Sequence, residues 1–259
     1  MKTILSIAGS DCSGGAGIQA DIKTITSHKM YAMSVITALT AQNTQGVYDV
    51  LETTPEFVAQ QIDAVFTDIY PDAVKIGMVS NKDIIALIAD KLKAYDAKNI
   101  VLDPVMISTS GSKLLNDDAM ETLITKLMPI AFIITPNIPE AECLCGFAVK
   151  TKDDMQKAAI EISKKFSGNI LIKGGHLKDC SDDLLYENGK FDWFEQLNIN
   201  NPNTHGTGCT LSSAIACNLA CGMDIKDSIT ASKKYITGAL MANLDLGKGS
   251  GPLNHCWNL

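Results

Sequence analysis

The order in which apolar runs and helix-like segments alternate constrains the fold of this chain more than any single residue does. Short, largely β-branched runs at 3–8, 33–39, 72–76, 99–102, 131–134 and 170–172 are separated by segments whose apolar residues recur three and four positions apart, such as Ile18/Ile22/Ile25 and Ile84/Leu87/Ile88/Leu92. Strands that alternate with helices pair in parallel through right-handed crossovers. The expectation is therefore a three-layer α/β/α sandwich with a mostly parallel central sheet. One segment departs from the pattern. Leu184-Leu185-Tyr186, then Asn188-Gly189, then Phe191 and Trp193 carry the signature of a two-residue hairpin turn, which puts a small antiparallel hairpin at the sheet's edge.

Further helices are expected at 117–127, 139–145, 152–166, from the glycine turn at 206–208 to about residue 220, and from 225 to about 244. Thr54-Pro55-Glu56 reads as a helix start, with Thr54 as cap and Pro55 in the first helical position, and Val58, Ile62 and Val65 give that helix its apolar face. No internal repeat or Pro/Ser linker interrupts the chain, so residues 1–259 read as a single domain.

Hydrophobic residues make up 46% and charged residues 20%, a globular balance. A net charge of −7 without any Lys/Arg run argues against nucleic acid or an anionic membrane as a partner. The apolar stretch near Met1 is too short for a signal peptide's core, and no run approaches a membrane span, which places the protein in the cytoplasm. Eight cysteines in such a setting are expected as reduced thiols. Neither Cys143/Cys145 nor Cys217/Cys221 has zinc-site spacing, and both pairs read as core packing.

In open parallel sheets ligands bind beyond the carboxyl ends of the strands. The residues that follow the expected strands are Asp11 with the Ser13 to Gly17 turn, Gln42-Asn43, Gly77-Met78, Asp103-Pro104-Val105, Asn137 with Glu140, and Lys173-Gly174-Gly175. Such an edge can hold magnesium through Asp103 and Glu140, mostly by way of water, while Lys173 neutralises phosphate oxygens. Phosphoryl transfer needs that kind of positioning and charge stabilisation. Late in the chain, Asn203-Thr204-His205-Gly206-Thr207-Gly208-Cys209 opens into a small-residue helix. A helix start offers unpaired N–H groups and a positive field, an anion cradle in which Cys209 would have a lowered pKa.

Each of these residues has a plainer reading when taken alone. Asp103-Pro104 can end a strand, Glu140 can cap a helix, Lys173 and Asp21 can be solvated, and His176 and His205 can be ordinary loop residues. The P-loop and the G-x-G-x-x-G dinucleotide fingerprint are both absent from the sequence.

The ordered series Gly9-Ser10-Asp11-Cys12-Ser13-Gly14-Gly15-Ala16-Gly17, Lys75-Ile76-Gly77-Met78, Leu102-Asp103-Pro104-Val105-Met106, Thr135-Pro136-Asn137-Ile138-Pro139-Glu140, Lys173-Gly174-Gly175-His176 and Thr204-His205-Gly206-Thr207-Gly208-Cys209 resembles the hydroxymethylpyrimidine/phosphomethylpyrimidine kinases of thiamine biosynthesis, within the ribokinase-like superfamily. The resemblance spans nearly the whole chain. It implies a homodimeric kinase that transfers the γ-phosphoryl group of ATP to 4-amino-5-hydroxymethyl-2-methylpyrimidine and then to its monophosphate. Asp21, Gln42, Met78 and Val105 would line the pyrimidine pocket. Asp103, Asn137 and Glu140 would organise magnesium and the phosphates, Lys173 would touch the ATP phosphates, and Gly206, Thr207, Gly208 and Cys209 would form the anion hole. Many members of the superfamily carry an aspartate base where Cys209 stands, so the thiol's part stays open between proton acceptor and hydroxyl-orienting group. A pyridoxal kinase of the same branch is the nearest alternative, and a non-catalytic vitamin-binding protein is a more distant one. A thiol hydrolase is weaker still, because His205 has no evident orienting carboxylate in the sequence. The Gly/Ser-rich loop at 108–113 is the expected lid.

Overall fold

The computed structural model of the 259-residue chain describes residues 1–106, 115–175, 182–195, 199 and 201–259. Its strands are β1 Thr3–Asp11, β2 Tyr31–Asn43, β3 Gly46–Glu52, β4 Ala73–Ile76, β5 Ile100–Leu102, β6 Ile133–Ile134, β7 Asn169–Ile172, β8 Asp183–Glu187 and β9 Lys190–Phe194. They form one sheet in the order β3-β2-β1-β4-β5-β6-β7-β8-β9. From β2 to β7 every neighbouring pair is parallel, while β3, β8 and β9 pair antiparallel. The helices are α1 Gly17–Ser27, α2 Pro55–Phe66, α3 Lys82–Ala94, α4 Asp117–Thr122, α5 Ile138–Cys145, α6 Lys152–Ser163, α7 Thr207–Ala220 and α8 Ile225–Met241.

Because side chains alternate across a strand, the sheet supports two cores. Leu5, Ile7, Val74 and Ile76 pack with apolar residues of α2, α3, α5 and α6 on one face. Ile4, Ala73, Val101 and Ile133 pack with Ile25 of α1 and the apolar faces of α7 and α8 on the other. This is the expected α/β/α sandwich. The Asn188-Gly189 hairpin is present as β8–β9 at one edge of the sheet. Thr54 caps α2 as expected, its hydroxyl accepting from the Phe57 N–H at 3.3 Å.

Several boundaries differ from the sequence reading, each for a physical reason. β2 continues to Asn43 and folds back as β3, so Gln42 lies within a strand that overhangs the sheet. β3 buries neither face, so it carries no alternating pattern to read. The helix expected over 117–127 is α-helical only to Thr122. It relaxes into a π turn at Leu123–Leu127 and a 3₁₀ turn at Met128–Ile130, where Pro129 has no N–H to continue the ladder. Cys145 and Cys217 are buried as expected, but Cys143 and Cys221 are exposed, so core packing accounts for half of those thiols. Cys12, Cys145, Cys209, Cys217, Cys221 and Cys256 are free thiols. Among those residues no helix is long and apolar enough to cross a membrane. The loop at 108–113 and His176 lie outside the described residues.

The chain leaves β1 for β2 on one side and later places β4 on the other. This reversal opens a crevice at the carboxyl ends of β1 and β4, the place where such sheets take ligands.

Candidate active site

The first turn of α7 sits over that edge of the sheet. Gly206, its N-cap, has φ 86°, and a side chain there would fall on the carbonyl oxygen of Gly15. Only glycine lets this turn lie flush on the β1–α1 turn. Thr207 bonds back to the carbonyl of Thr204 through its N–H at 3.2 Å and its hydroxyl at 2.9 Å. The N–H groups of Gly208 and Cys209 are then the donors a helix start leaves over. Gly208 faces the edge directly: a Cβ on it would lie 3.2 Å from Asp103 Oδ2 and 3.3 Å from Lys173 Nζ.

Lys173 Nζ donates to Asp103 Oδ1 at 2.8 Å, and the Thr135 hydroxyl donates to the same oxygen at 3.1 Å. Burial alone would lower the Lys173 pKa, but the carboxylates of Asp103 and Glu140 outweigh it and raise the pKa. Asn137 and Glu140 form a reciprocal capping box at the start of α5, with Asn137 Oδ1 accepting from the Glu140 N–H at 2.9 Å and Glu140 Oε2 accepting from the Asn137 N–H at 2.8 Å. Burial and the neighbouring Asp103 charge push the Glu140 carboxyl up to about 7, against the opposing pull of Lys173. Among the described residues no three His, Cys, Asp or Glu side chains converge as a metal cage. The Asp103/Glu140 pair therefore suits a cation that keeps most of its shell as water and ligand oxygens, which is how magnesium is usually held.

The expected pocket residues fall into two groups. Gln42 and Met78 lie at the crevice: Gln42 Nε2 is 3.2 Å from His205 Nε2, and the Met78 methyl reaches within 2.6 Å of where a Cβ on Gly9 would sit. Val105 follows β5 and is half-buried. Asp21 differs. It is fully buried, and both carboxylate oxygens are held by protein donors, namely Lys75, Ser6 and Ser213. It presents no surface to a ligand, so any contribution to the pocket runs through those partners.

A second correction concerns Cys209. Its pKa is raised where a lowered one was expected, because burial and the charges of Asp21 and Asp103 outweigh the helping charge of Lys75 and a hydrogen bond from the Gly17 N–H. The helix start alone does not ionise this thiol.

Two features went unassigned in the sequence reading. His205 Nε2 lies 2.9 Å from Asp11 Oδ2, and Asp11 also accepts from the N–H groups of Ser13, Gly15 and Ala16, so this contact ties the β1–α1 turn to the approach to α7. The signal was Asp11 before a glycine turn, the usual place for a side chain that bonds the backbone just ahead of it. Lys75 is the other. A lysine inside a short central strand that is otherwise apolar was visible and called for a reason.

Between β9 and α8 lies a cavity of about 420 Å³ lined by Trp193, Phe194, Glu195, Thr230, Lys233, Lys234 and Thr237. Lys233 pairs with Asp183 at 2.5 Å, and Asp183 accepts from the Gly174 N–H at 2.9 Å, which connects the cavity wall to the loop carrying Lys173.

An edge that gathers a helix start, a lysine and buried carboxylates, on a sheet wound in this order, puts the molecule among the ribokinase-like small-molecule kinases. Residues 11–254 match the family described as phosphomethylpyrimidine kinase, and the chain belongs to that family. It is 46% identical over 254 residues to the thiamine biosynthesis bifunctional protein ThiED of Geobacter sulfurreducens, matching 98% of this chain and 52% of that one, so it spans about half of that relative. The phosphomethylpyrimidine kinase structure from Clostridium difficile 630 superposes with a TM-score of 0.83 at 48% identity, over 92% of this chain and 98% of the other. The ADP complex of Bacillus subtilis pyridoxal kinase superposes with a TM-score of 0.92 at 37% identity, over 98% and 97%.

Proposed function

We propose that the protein is an ATP-dependent kinase that phosphorylates the hydroxymethyl group of 4-amino-5-hydroxymethyl-2-methylpyrimidine and then the resulting monophosphate, as a single cytoplasmic domain acting in thiamine biosynthesis. The observation that carries this reading is the first turn of α7 facing Lys173 and Asp103 across Gly208. ATP, when bound, would supply the γ-phosphoryl group, and a magnesium ion held by Asp103 and Glu140 would supply charge neutralisation there. The N–H groups of Gly208 and Cys209, with the Thr207 side chain beside them, hold the transferring group. Lys173 gives up part of its contact with Asp103 to meet phosphate oxygens, while Asp103 and Glu140 hold the cation and Asn137 keeps Glu140 in place. The cavity against Trp193 has the size for a nucleobase. Gln42 can both donate to a ring nitrogen and accept from an exocyclic amine, which suits an aminopyrimidine, and Met78 and Val105 cover the ring. Cys209 stands on the same turn to orient the hydroxymethyl group or to receive its proton, and its raised pKa favours the orienting part.

Pyridoxal is the second candidate substrate, favoured by the close superposition on a pyridoxal kinase. Comparing kcat/KM for the pyrimidine alcohol and for pyridoxal decides between them: a preference for the pyrimidine is expected, and a clear preference for pyridoxal overturns the assignment. ATP consumption that requires both magnesium and the pyrimidine excludes a non-catalytic binding protein. A homodimer is also part of this reading. The exposed Leu39, Val47, Val50 and Leu51 of the β2–β3 hairpin favour association, and light scattering on the purified chain tests it.

A further inference from the structure

His255, near the end of the chain, has no part in the reading above, yet it is buried and its ring reaches α7. Its Nε2 lies 3.0 Å from the hydroxyl of Thr210, the residue after Cys209 in the first turn of that helix. The hydroxyl donates to the Gly206 carbonyl at 2.8 Å, and the Thr210 N–H donates to the same oxygen at 2.9 Å. A hydroxyl has one proton to give. With that proton on Gly206, the ring nitrogen is the donor that completes the Thr210 oxygen. Burial holds the His255 pKa down at about 4, so the ring is neutral at pH 7.

The stretch that carries this ring also holds the approach to α7 and the tip of the overhang. The Gly251 carbonyl accepts from the His205 N–H at 3.2 Å, and the Gly251 N–H donates to Asn203 Oδ1 at 2.8 Å. The N–H groups of Lys248 and Gly249 both donate at 3.1 Å to the hydroxyl of Thr44, two residues beyond Gln42. The backbone of His255 is fixed separately, because the hydroxyls of Ser27 on α1 and Tyr235 on α8 donate to its carbonyl at 2.6 and 2.7 Å. Those bonds do not depend on which ring stands at 255. Filling space does not call for an imidazole either: a buried ring nitrogen is costly without a partner, and an apolar ring would fill the site without that cost. The partner here is the hydroxyl that braces the start of α7.

We propose that His255 is a positioning residue for phosphoryl transfer: through the Thr210 hydroxyl it locks the carbonyl of Gly206, and so fixes the direction in which the N–H groups of Gly208 and Cys209 meet the transferring group. Gly206 has no side chain to brace the turn, and at φ 86° its backbone has few restraints of its own. The bonds to its carbonyl supply the restraint. Buried behind Thr210, the ring transfers no proton. Its effect falls on donors that act as charge develops in the transfer, so it bears on turnover and leaves binding of the pyrimidine alone. The inference rests on the kinase reading above, and its test separates the two.

His255→Phe keeps the bulk of the ring and removes the donor, whereas His255→Gln places an amide nitrogen near the position of Nε2. In His255→Phe, kcat for the pyrimidine alcohol is expected to fall about tenfold, with KM for the pyrimidine within about twofold of wild type. His255→Gln should recover most of that loss. Thr210→Val removes the hydroxyl from the other end of the link and should lose the same factor, with the double variant Thr210→Val/His255→Phe losing no more than either alone. Wild-type kcat in a folded His255→Phe, a His255→Gln as slow as the phenylalanine variant, or additive losses in the double variant each overturn the proposal. Hydrogen exchange at the Thr210 N–H, followed without substrate, should quicken about tenfold in His255→Phe, and an unchanged rate overturns the proposal as well. A wild-type chain that phosphorylates neither the pyrimidine alcohol nor pyridoxal would instead remove the kinase reading, while the exchange rate still judges the link from His255 to the start of α7.

Discussion

Two lysine–aspartate pairs flank the start of α7, each closed at 2.8 Å, and they differ in almost everything else. Lys75 and Asp21 are both sealed, at 0% side-chain exposure, and hydroxyls from β1 and α7 complete the carboxylate's hydrogen bonds. Lys173 and Asp103 keep 15% and 3% exposure and turn toward the bare backbone of Gly208. Equal distance therefore does not mean equal role. A sealed pair cannot exchange its partner without stranding a charge, so it acts as fixed scaffold and fixed field. An open pair can trade a carboxylate for a phosphate oxygen, so it serves as a ligand site.

The sharpest way to break this contrast is to remove each lysine in turn. Lys75→Met leaves the Asp21 carboxylate buried and uncompensated, and a loss of about 3–5 kcal/mol in urea-unfolding stability is expected. Adding Asp21→Leu should restore most of that loss. If Lys75→Met alone were as stable as wild type, the sealed pair would not be the structural unit described here. Lys173→Met should show the reverse profile. Asp103 keeps its Thr135 bond but is itself buried, so the unfolding midpoint should fall, by less than in Lys75→Met. Steady-state kinetics should show kcat/KM for ATP falling about a hundredfold, the usual scale for losing a preorganised charge at a transferring group.

A smaller effect comes from the carboxyl next to the open pair. Glu140 has a folded pKa of about 7 against an ordinary 4.5, so between those values the folded state binds more protons than the unfolded one. Stability contributed by this group is present below about pH 4.5 and is lost as pH rises through 7, by at most about 3 kcal/mol. Unfolding midpoints at pH 5 and pH 8 should therefore diverge less in Glu140→Gln than in wild type. His255 is buried, and its pKa is lowered to about 4, so it pulls the other way at acid pH and must be left intact in both proteins. The smallest effect belongs to the exposed pair Lys2–Asp72, closed at 2.7 Å. Lys2→Ala should leave the unfolding midpoint within experimental scatter, which would confirm that distance without burial carries little.

Much of the edge could be read from the chain in advance. Asp103, Asn137, Glu140 and Lys173 each follow a strand whose apolar run is plain in the sequence, and parallel pairing puts all such positions at one end of the sheet. The β8–β9 hairpin was legible because Asn-Gly has a specific turn chemistry. What escaped had no local signal. β3 buries no face, so its strand-forming Val47, Tyr48 and Val50 come without the alternation that marks a half-buried strand, and with it the overhang that carries Gln42 stayed hidden. The Asp11–His205 contact joins residues 194 positions apart, and only the packing of two turns creates it.

Cys209, with Lys75, shows where the division falls. The sequence by itself determined that a glycine turn would open a helix here, because Gly206 tolerates a left-handed backbone and the small residues after it pack as a buried helix. It also determined that this helix start would be electropositive. Whether the thiol in it ionises was decided only by the tertiary structure. Burial and two carboxylates from α1 and β5 raise its pKa, while a lysine from β4 acts against them. Helix geometry is a property of neighbouring residues, whereas the field at one sulfur atom sums charges brought together from three distant parts of the chain.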